Sequence, residues 1–178
     1  MDFQNLSNKQ KEEAFTNAYQ LHVDAIYRHC YFRVHNKELA QDLTQETFIK
    51  TWKYIIEGKE IKNLKAFLYK VAINLIIDDS RKKKAVVFDS VKEKEASVRL
   101  YKRMYNDTLN KLEVDEIIGI LSGMDENYKQ VIVMRYINQL SPPEIAEIMG
   151  ISTNAVSVKI NYAIKKLRET IKIKRHEI

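Results

Sequence analysis

Thr153, Asn154 and Ser157 are short polar side chains close together in sequence, and Lys159, Lys165, Lys166, Arg168, Lys172, Lys174 and Arg175 follow them, with Glu169 the acidic exception before Glu177. Small donors and acceptors ahead of a run of cations suit a surface that meets base edges with the former and phosphates with the latter. A helical hairpin with a solvated lysine-rich face would use the same residue types. What separates the two is the local structure that carries them.

That structure is legible in residues 141–169. Ser141 is a good N-cap, and Pro142 suits a first helical turn, where its missing N–H has no partner to lose. Ile145, Ala146 and Met149 recur at helical spacing, and Gly150 can enter the left-handed region that ends many helices. Ser152 then caps a second helix, in which Val156, Ile160, Ala163 and Leu167 form an apolar stripe at spacings of four, three and four. Two helices joined by a tight turn make a helix-turn-helix, whose second helix lies in the major groove with its N-terminal residues at base edges.

With only four Gly and two Pro among 178 residues, and 45% hydrophobic against 30% charged residues, the chain is expected to be all-α. A net charge of +6 suits a polyanionic partner. Cys30 is the single cysteine, which excludes an internal disulfide and a cysteine-based zinc site and suits a reducing compartment. No apolar run approaches membrane-span length and the first ten residues lack signal-peptide features, so a cytoplasmic protein without membrane insertion is expected. His22, His29 and His35 have no matched carboxylate or cysteine cluster, and no metal or other cofactor is expected.

The N-terminal half reads as three helices. In the first, residues 9–34, Tyr19, Val23, Ile26, Tyr27, Cys30 and Val34 share one face. The second starts at Asn36 and runs to Gly58; Asp42, Gln45, Glu46, Ile49 and Lys53 share one side, and Leu43, Thr47 and Tyr54 another. An acidic stripe in a basic protein is either a solvated face or a docking surface that desolvates around Ile49. After a short polar loop, Asn63 caps a third helix with a core band of Leu64, Phe67, Leu68, Val71, Ala72, Leu75 and Ile76. Lys70, Asn74 and Arg81 lie to one side of that band, with Asp78 at its edge. Between positions 59 and 84 basic residues outnumber acidic ones by eight to three, which makes a second basic surface. The terminal Arg-Lys-Lys-Lys run also suits the helix macrodipole, but Asn74 is better explained as an amide that reads a base.

Residues 85–112 lose helical order and mix charges of both signs, as a linker does. Val114, Ile117, Ile118 and Leu121 then open a second core. Asp125 caps the next helix, for which Tyr128, Val131, Ile132 and Tyr136 supply the packing face. The expected organisation is therefore two small helical domains, residues 9–84 and 113–174, the second ending in the helix-turn-helix. No phosphate loop, nucleophile elbow or paired-carboxylate site is present, which argues against an enzyme. A regulator binding duplex DNA through its C-terminal half and a ligand through its N-terminal half remains an alternative.

Asp42-Leu43-Thr44-Gln45-Glu46-Thr47-Phe48 followed by Trp52 resembles the region 2.2 signature of extracytoplasmic-function sigma factors of bacterial RNA polymerase. Asn63-Leu64 through Ala72, Asn74, Asp78 and Arg81 resemble the region 2.4 helix, and Tyr128 to Tyr136, Leu140, Ile145-Ala146, Gly150 and Val156 to Leu167 resemble region 4. The resemblance implies that Asp42, Gln45 and Glu46, with Ile49 and Lys53, dock on the clamp helices of core RNA polymerase. It implies that Lys59, Lys62, Asn63, Lys70, Asn74, Asp78, Arg81 and Lys82 meet a single-stranded −10 element. It gives Ser152, Thr153, Asn154, Ser157, Lys159, Lys165 and Lys166 to the −35 duplex, and it suggests an anti-sigma partner. The chain departs from the family's frequent Ser-Arg pair and second Arg in the recognition helix, where it has Val158, Lys159 and Tyr162. Lysine keeps the charge there but loses the bidentate contact of arginine with guanine.

Overall fold

A computed structural model describes residues 3–85, 119, 121 and 123–176; the side chains of 83–85 and 170–176 are not among the parts described. Its elements are α1 (Asn8–Val34), α2 (Lys37–Ile56), α3 (Leu64–Ala85), α4 (Glu126–Ile132) running on into a π-helical turn (Val133–Ile137), α5 (Pro142–Met149) and α6 (Thr153–His176). Among the described residues there is no strand, and the helices divide into two compact units, α1–α3 and α4–α6. Beyond Ala85 the expected linker lies outside the described residues, as do Val114, Ile117 and Ile118.

In the first unit α1 packs along α3. Ile26 and Cys30 of the expected α1 stripe and Leu68, Tyr69, Ala72, Leu75 and Ile76 of α3 are buried, and so is Phe32, which lies off that stripe. Asn63 Oδ1 accepts from the Ala66 amide at 3.1 Å, so the expected cap of α3 is in place. The loop before it is less polar than expected, because Ile61 is buried within it. On α2 the inward face carries three threonines as well as Ala40, Leu43, Phe48 and Ile55. Thr44, Thr47 and Thr51 are buried without stranding their hydroxyls, since each donates to the carbonyl four residues back, at 2.6, 2.7 and 2.8 Å.

The second unit is built by its caps. The Asp125 carboxylate accepts from the Asn127 amide at 2.9 Å and starts α4. Val131, Ile132, Val133, Met134 and Leu140 are buried. The π-helical turn was not expected from the sequence. Asn138 N–H donates to Val133 O and Leu140 N–H to Met134 O, one and two residues further back than α-helical bonding allows. This wider turn rotates Tyr136 outward, so Tyr136 is 52% exposed instead of completing the packing face, and Met134 is buried in its stead. The Arg135 guanidinium closes the turn by donating to Leu140 O at 3.1 Å.

Ser141 caps α5 with a full capping box. Its Oγ accepts from the Glu144 amide while the Glu144 carboxylate accepts from the Ser141 amide at 2.8 Å. Gly150 ends α5 at φ 66°, ψ 33°, with its N–H donating to Ala146 O. The Ile151 amide donates to the same carbonyl, which fixes the tight turn into α6. Ser152 Oγ accepts from the Ala155 amide at 3.1 Å and starts α6. Val156, Ile160 and Ala163 of the expected stripe are buried, where α6 packs on α4 and α5, and Leu167 at its end is half-buried.

Candidate nucleic-acid interface and docking face

The inward stripe of α6 defines its outward face. At about 100° per residue, with Val156 at zero, the buried Ile160 and Ala163 lie at about 40° and −20°, so the core direction is about 10°. Asn154, Val158, Asn161 and Lys165 then fall at about 160°, 200°, 140° and 180°, and Tyr162 and Glu169 at about 240° and 220°, in the strip on the face turned away from the core. Asn154, Val158, Asn161 and Lys165 are all exposed. Thr153 and Ser157 flank the strip on one side, and Lys159 and Lys166 on the other.

Several expected contact residues are already engaged within the chain. The Ser152 hydroxyl serves as the helix cap. Ser157 Oγ donates to Thr153 O at 3.1 Å, so its lone pairs face outward more than its proton does. The Lys159 ammonium sits 5.7 Å from the centre of the Tyr128 ring. Tyr128 lies 4.6 Å from Tyr162, the two rings tilted by 31°, and the Lys166 ammonium lies 5.9 Å from the Tyr162 ring. Lys166 also hydrogen-bonds Glu169 at 3.3 Å, which holds its pKa above the ordinary lysine value. Two tyrosines therefore order two of the lysines on one flank of the helix. Sequence reasoning passed over Val158 and Asn161 as contacts; projection of the stripe onto a helical wheel would have placed Val158 at the centre of the outward face and Asn161 about 50° to one side of it.

The second basic surface lies on α3. Lys70, Asn74, Asp78 and Arg81 are exposed at offsets of four, eight and eleven, which form one strip. That strip lies opposite the buried band, not at its side as the sequence suggested, because Tyr69 and Ile73 widen the core. Arg81 approaches Asp78 at 3.9 Å, so the carboxylate steers the guanidinium along the strip. Lys62 and Lys82 are exposed, and Asn63 is exposed although its carbonyl oxygen serves as a cap. Lys59 pairs with Glu57, whose hydrogen bond raises the lysine pKa, and its ammonium stands 5.1 Å from the Tyr54 ring.

On α2, Asp42, Gln45, Glu46, Ile49 and Lys53 are all exposed along one side, as expected. Glu46 forms an ion pair with Lys50 at 3.1 Å. Ile49 is 53% exposed and borders a groove of about 660 Å³ between α1 and α2, lined by Phe15, Tyr19, Phe48, Trp52 and Ile56 with Glu12, Gln45 and Lys53 at its rim. Phe15 lies 5.1 Å from Trp52, and Tyr19 meets Phe48 edge-on at 4.8 Å. Tyr19 was expected in the core; it is 42% exposed on the groove wall. Phe15 carries no signal of its own in the sequence, since a groove between two helices is created by their packing.

Among the described residues no group of three or more His, Cys, Asp or Glu is placed to hold a metal ion. His29 is buried with its ring edge-on to Tyr69 at 5.2 Å. No described helix is long and apolar enough to cross a membrane.

The described residues thus form two helical units, one with an exposed acidic and apolar side on α2 and a basic strip on α3, the other with a capped helix-turn-helix. Residues 18–86 match the model of sigma-70 region 2, and residues 115–167 that of sigma-70 region 4. The chain is 28% identical over 174 residues to the ECF RNA polymerase sigma factor SigW of Bacillus subtilis, with 92% of each chain covered. It is 30% identical over 135 residues to SigM of the same organism, covering 75% of this chain and 80% of that one. The fold is similar to that of CnrH in complex with the cytosolic domain of CnrY (TM-score 0.68, 22% identity, 91% and 90% covered). It is also similar to that of the sigma factor RpoE in complex with the anti-sigma factor NepR from Bartonella quintana (TM-score 0.69, 19% identity, 90% and 98% covered). The chain belongs to the ECF RNA polymerase sigma factors. As a member it directs promoter-specific transcription initiation.

Proposed function

We propose that the two units divide promoter recognition between them, residues 9–84 acting as the polymerase-docking and −10-reading domain and residues 113–174 as the −35-reading domain, joined through 85–112. The observation that carries this reading is the coexistence, in one chain, of an exposed acidic and apolar side on α2 and a capped helix-turn-helix.

Asp42, Gln45, Glu46, Ile49 and Lys53 engage core RNA polymerase: charge guides the approach, and Ile49 with the aromatic groove beside it supplies the apolar surface that loses water. The α3 strip of Lys70, Asn74, Asp78 and Arg81, with Lys59, Lys62, Asn63 and Lys82 around it, holds the −10 element once its strands part. Exposed amide and carboxylate groups there bond the edges of unstacked bases while the cations follow the backbone. On α6, Thr153, Asn154 and Ser157 face the −35 duplex in the major groove and Lys159, Lys165 and Lys166 face phosphates, with Ser152 holding the helix end that presents them.

The chain performs no catalysis of its own in this scheme and works in the cytoplasm beside the polymerase. An anti-sigma protein that covers the docking side would hold it inactive, as the anti-sigma factor NepR is found in complex with RpoE. The test is reconstitution: purified chain added to core polymerase yields transcripts with discrete starts from genomic fragments, and absence of such transcripts from an active core overturns the proposal.

A further inference from the structure

A single exposed valine on an ordinary surface needs no explanation. Val158 is different because of where it stands. It is 61% exposed at the centre of the outward strip of α6, with Asn154 one turn before it and Asn161 just after. A helix seated in the major groove brings the strip furthest from its own core closest to the floor of the groove.

An isopropyl group on that floor offers no hydrogen bond. Set against the exocyclic amine of cytosine or the oxygen of guanine, it would strip water from polar groups and return nothing. The apolar feature a base pair presents in the major groove is the C5 methyl of thymine. The β-branched side chain is also stiff in a helix, so its methyl groups are held in position before the DNA arrives. Asn154, also exposed, carries the amide that fits adenine N6 and N7. The two side chains are about 6 Å apart along the helix, a separation that spans neighbouring base pairs at about 3.4 Å each.

We propose that Val158 is a specificity-determining residue of this chain: it packs on a thymine methyl in the duplex element, beside an adenine read by Asn154. The proposal rests on α6 being the helix that enters the duplex element, and the experiment separates the two.

Holoenzyme assembled from the full chain and core polymerase is used to select duplexes from a library randomised across the upstream element. The selected duplex is then made with each thymine in turn replaced by uracil, which removes the methyl group alone. At one position the wild-type holoenzyme should bind the thymine form about fourfold more tightly, the value of one buried methyl. Val158→Ala should bind both forms equally, at the level of the wild type on uracil, with its helical circular dichroism unchanged. Indifference of the wild type to uracil at every position, or full discrimination kept by Val158→Ala, overturns the role of Val158 while duplex reading stands. Enrichment of no sequence at all overturns both.

Discussion

The carboxylate of Glu46 lies 3.1 Å from the ammonium of Lys50, one turn further along α2. Both groups are half exposed, so water screens the pair and it contributes at most about 0.5 kcal/mol to stability. Its consequence is for the docking proposed above: part of the acidic stripe is already neutralised from within, whereas Asp42 stands exposed a turn earlier. Replacing Asp42 and Glu46 together by Lys should weaken binding to core polymerase at least about tenfold. Lys50→Gln should leave binding unchanged or strengthen it. Titration of labelled core polymerase, with circular dichroism as the control for folding, checks both.

The turn of the helix-turn-helix depends on backbone conformation at Gly150. Nothing lies within 4 Å of a Cβ placed there, but φ is 66°. Gly150→Ala should therefore cost about 1 kcal/mol through strain alone, and Gly150→Asn less, because asparagine tolerates the left-handed region. Ser141→Ala, which dismantles the capping box, should cost about 1 kcal/mol. Denaturant unfolding of the three variants orders them, and equal losses for Ala and Asn at position 150 would contradict the strain argument.

Cys30 is fully buried, and burial pushes its thiol from 9.0 up to about 12, with the Thr44 hydrogen bond and Arg33 opposing. The folded state keeps the proton that the unfolded chain gives up first. Its contribution is thus complete below about pH 9 and is lost as pH rises toward 12. Native protein at pH 8 should resist alkylation by iodoacetamide, and denatured protein should react fully.

His22 moves in the other direction. Burial, with Lys65 as the second cause, lowers its pKa below 6.5. The unfolded chain binds the proton first, so stability is complete above about 6.5 and declines as pH falls toward the lowered folded value. The group is only half buried, so the decline is small. Denaturant midpoints at pH 7.5 and 5.5 should differ more in the wild type than in His22→Gln.

Helix ends were the most legible part of this chain. Asn63, Asp125, Ser141, Gly150 and Ser152 each announce a cap or a stop by chemistry that acts within a few residues, and each acts so in the structure. The π-helical turn was not legible, because no residue type demands bonding to the fifth residue back; around it Met134 and Leu140 are buried and Tyr136 is exposed. The groove at Phe15, Tyr19 and Trp52 was hidden for a related reason, since it belongs to two helices at once. On α6 the polar and basic residues drew attention by type, while Val158 gains meaning only from its angle to the buried stripe.

Charge removal along α6 should separate phosphate contacts from base contacts. Lys165 lies on the outward strip and Arg168 is exposed three residues further on. Replacing either by Gln should lower the slope of log affinity against log salt by about 0.9 for each phosphate that is no longer neutralised. Asn154→Ala should weaken binding to the selected sequence and leave that slope unchanged. Lys166 behaves differently because Glu169 holds it at 3.3 Å. Phosphate must compete with that carboxylate, so Lys166→Gln should change the slope less than Lys165→Gln. Glu169→Gln should raise affinity, since it releases Lys166 and removes a negative charge from the surface proposed to meet the duplex. Duplex binding by the holoenzyme at several salt concentrations measures each of these variants, and a fall in affinity for Glu169→Gln would mean that the carboxylate serves to hold Lys166 in place for its phosphate.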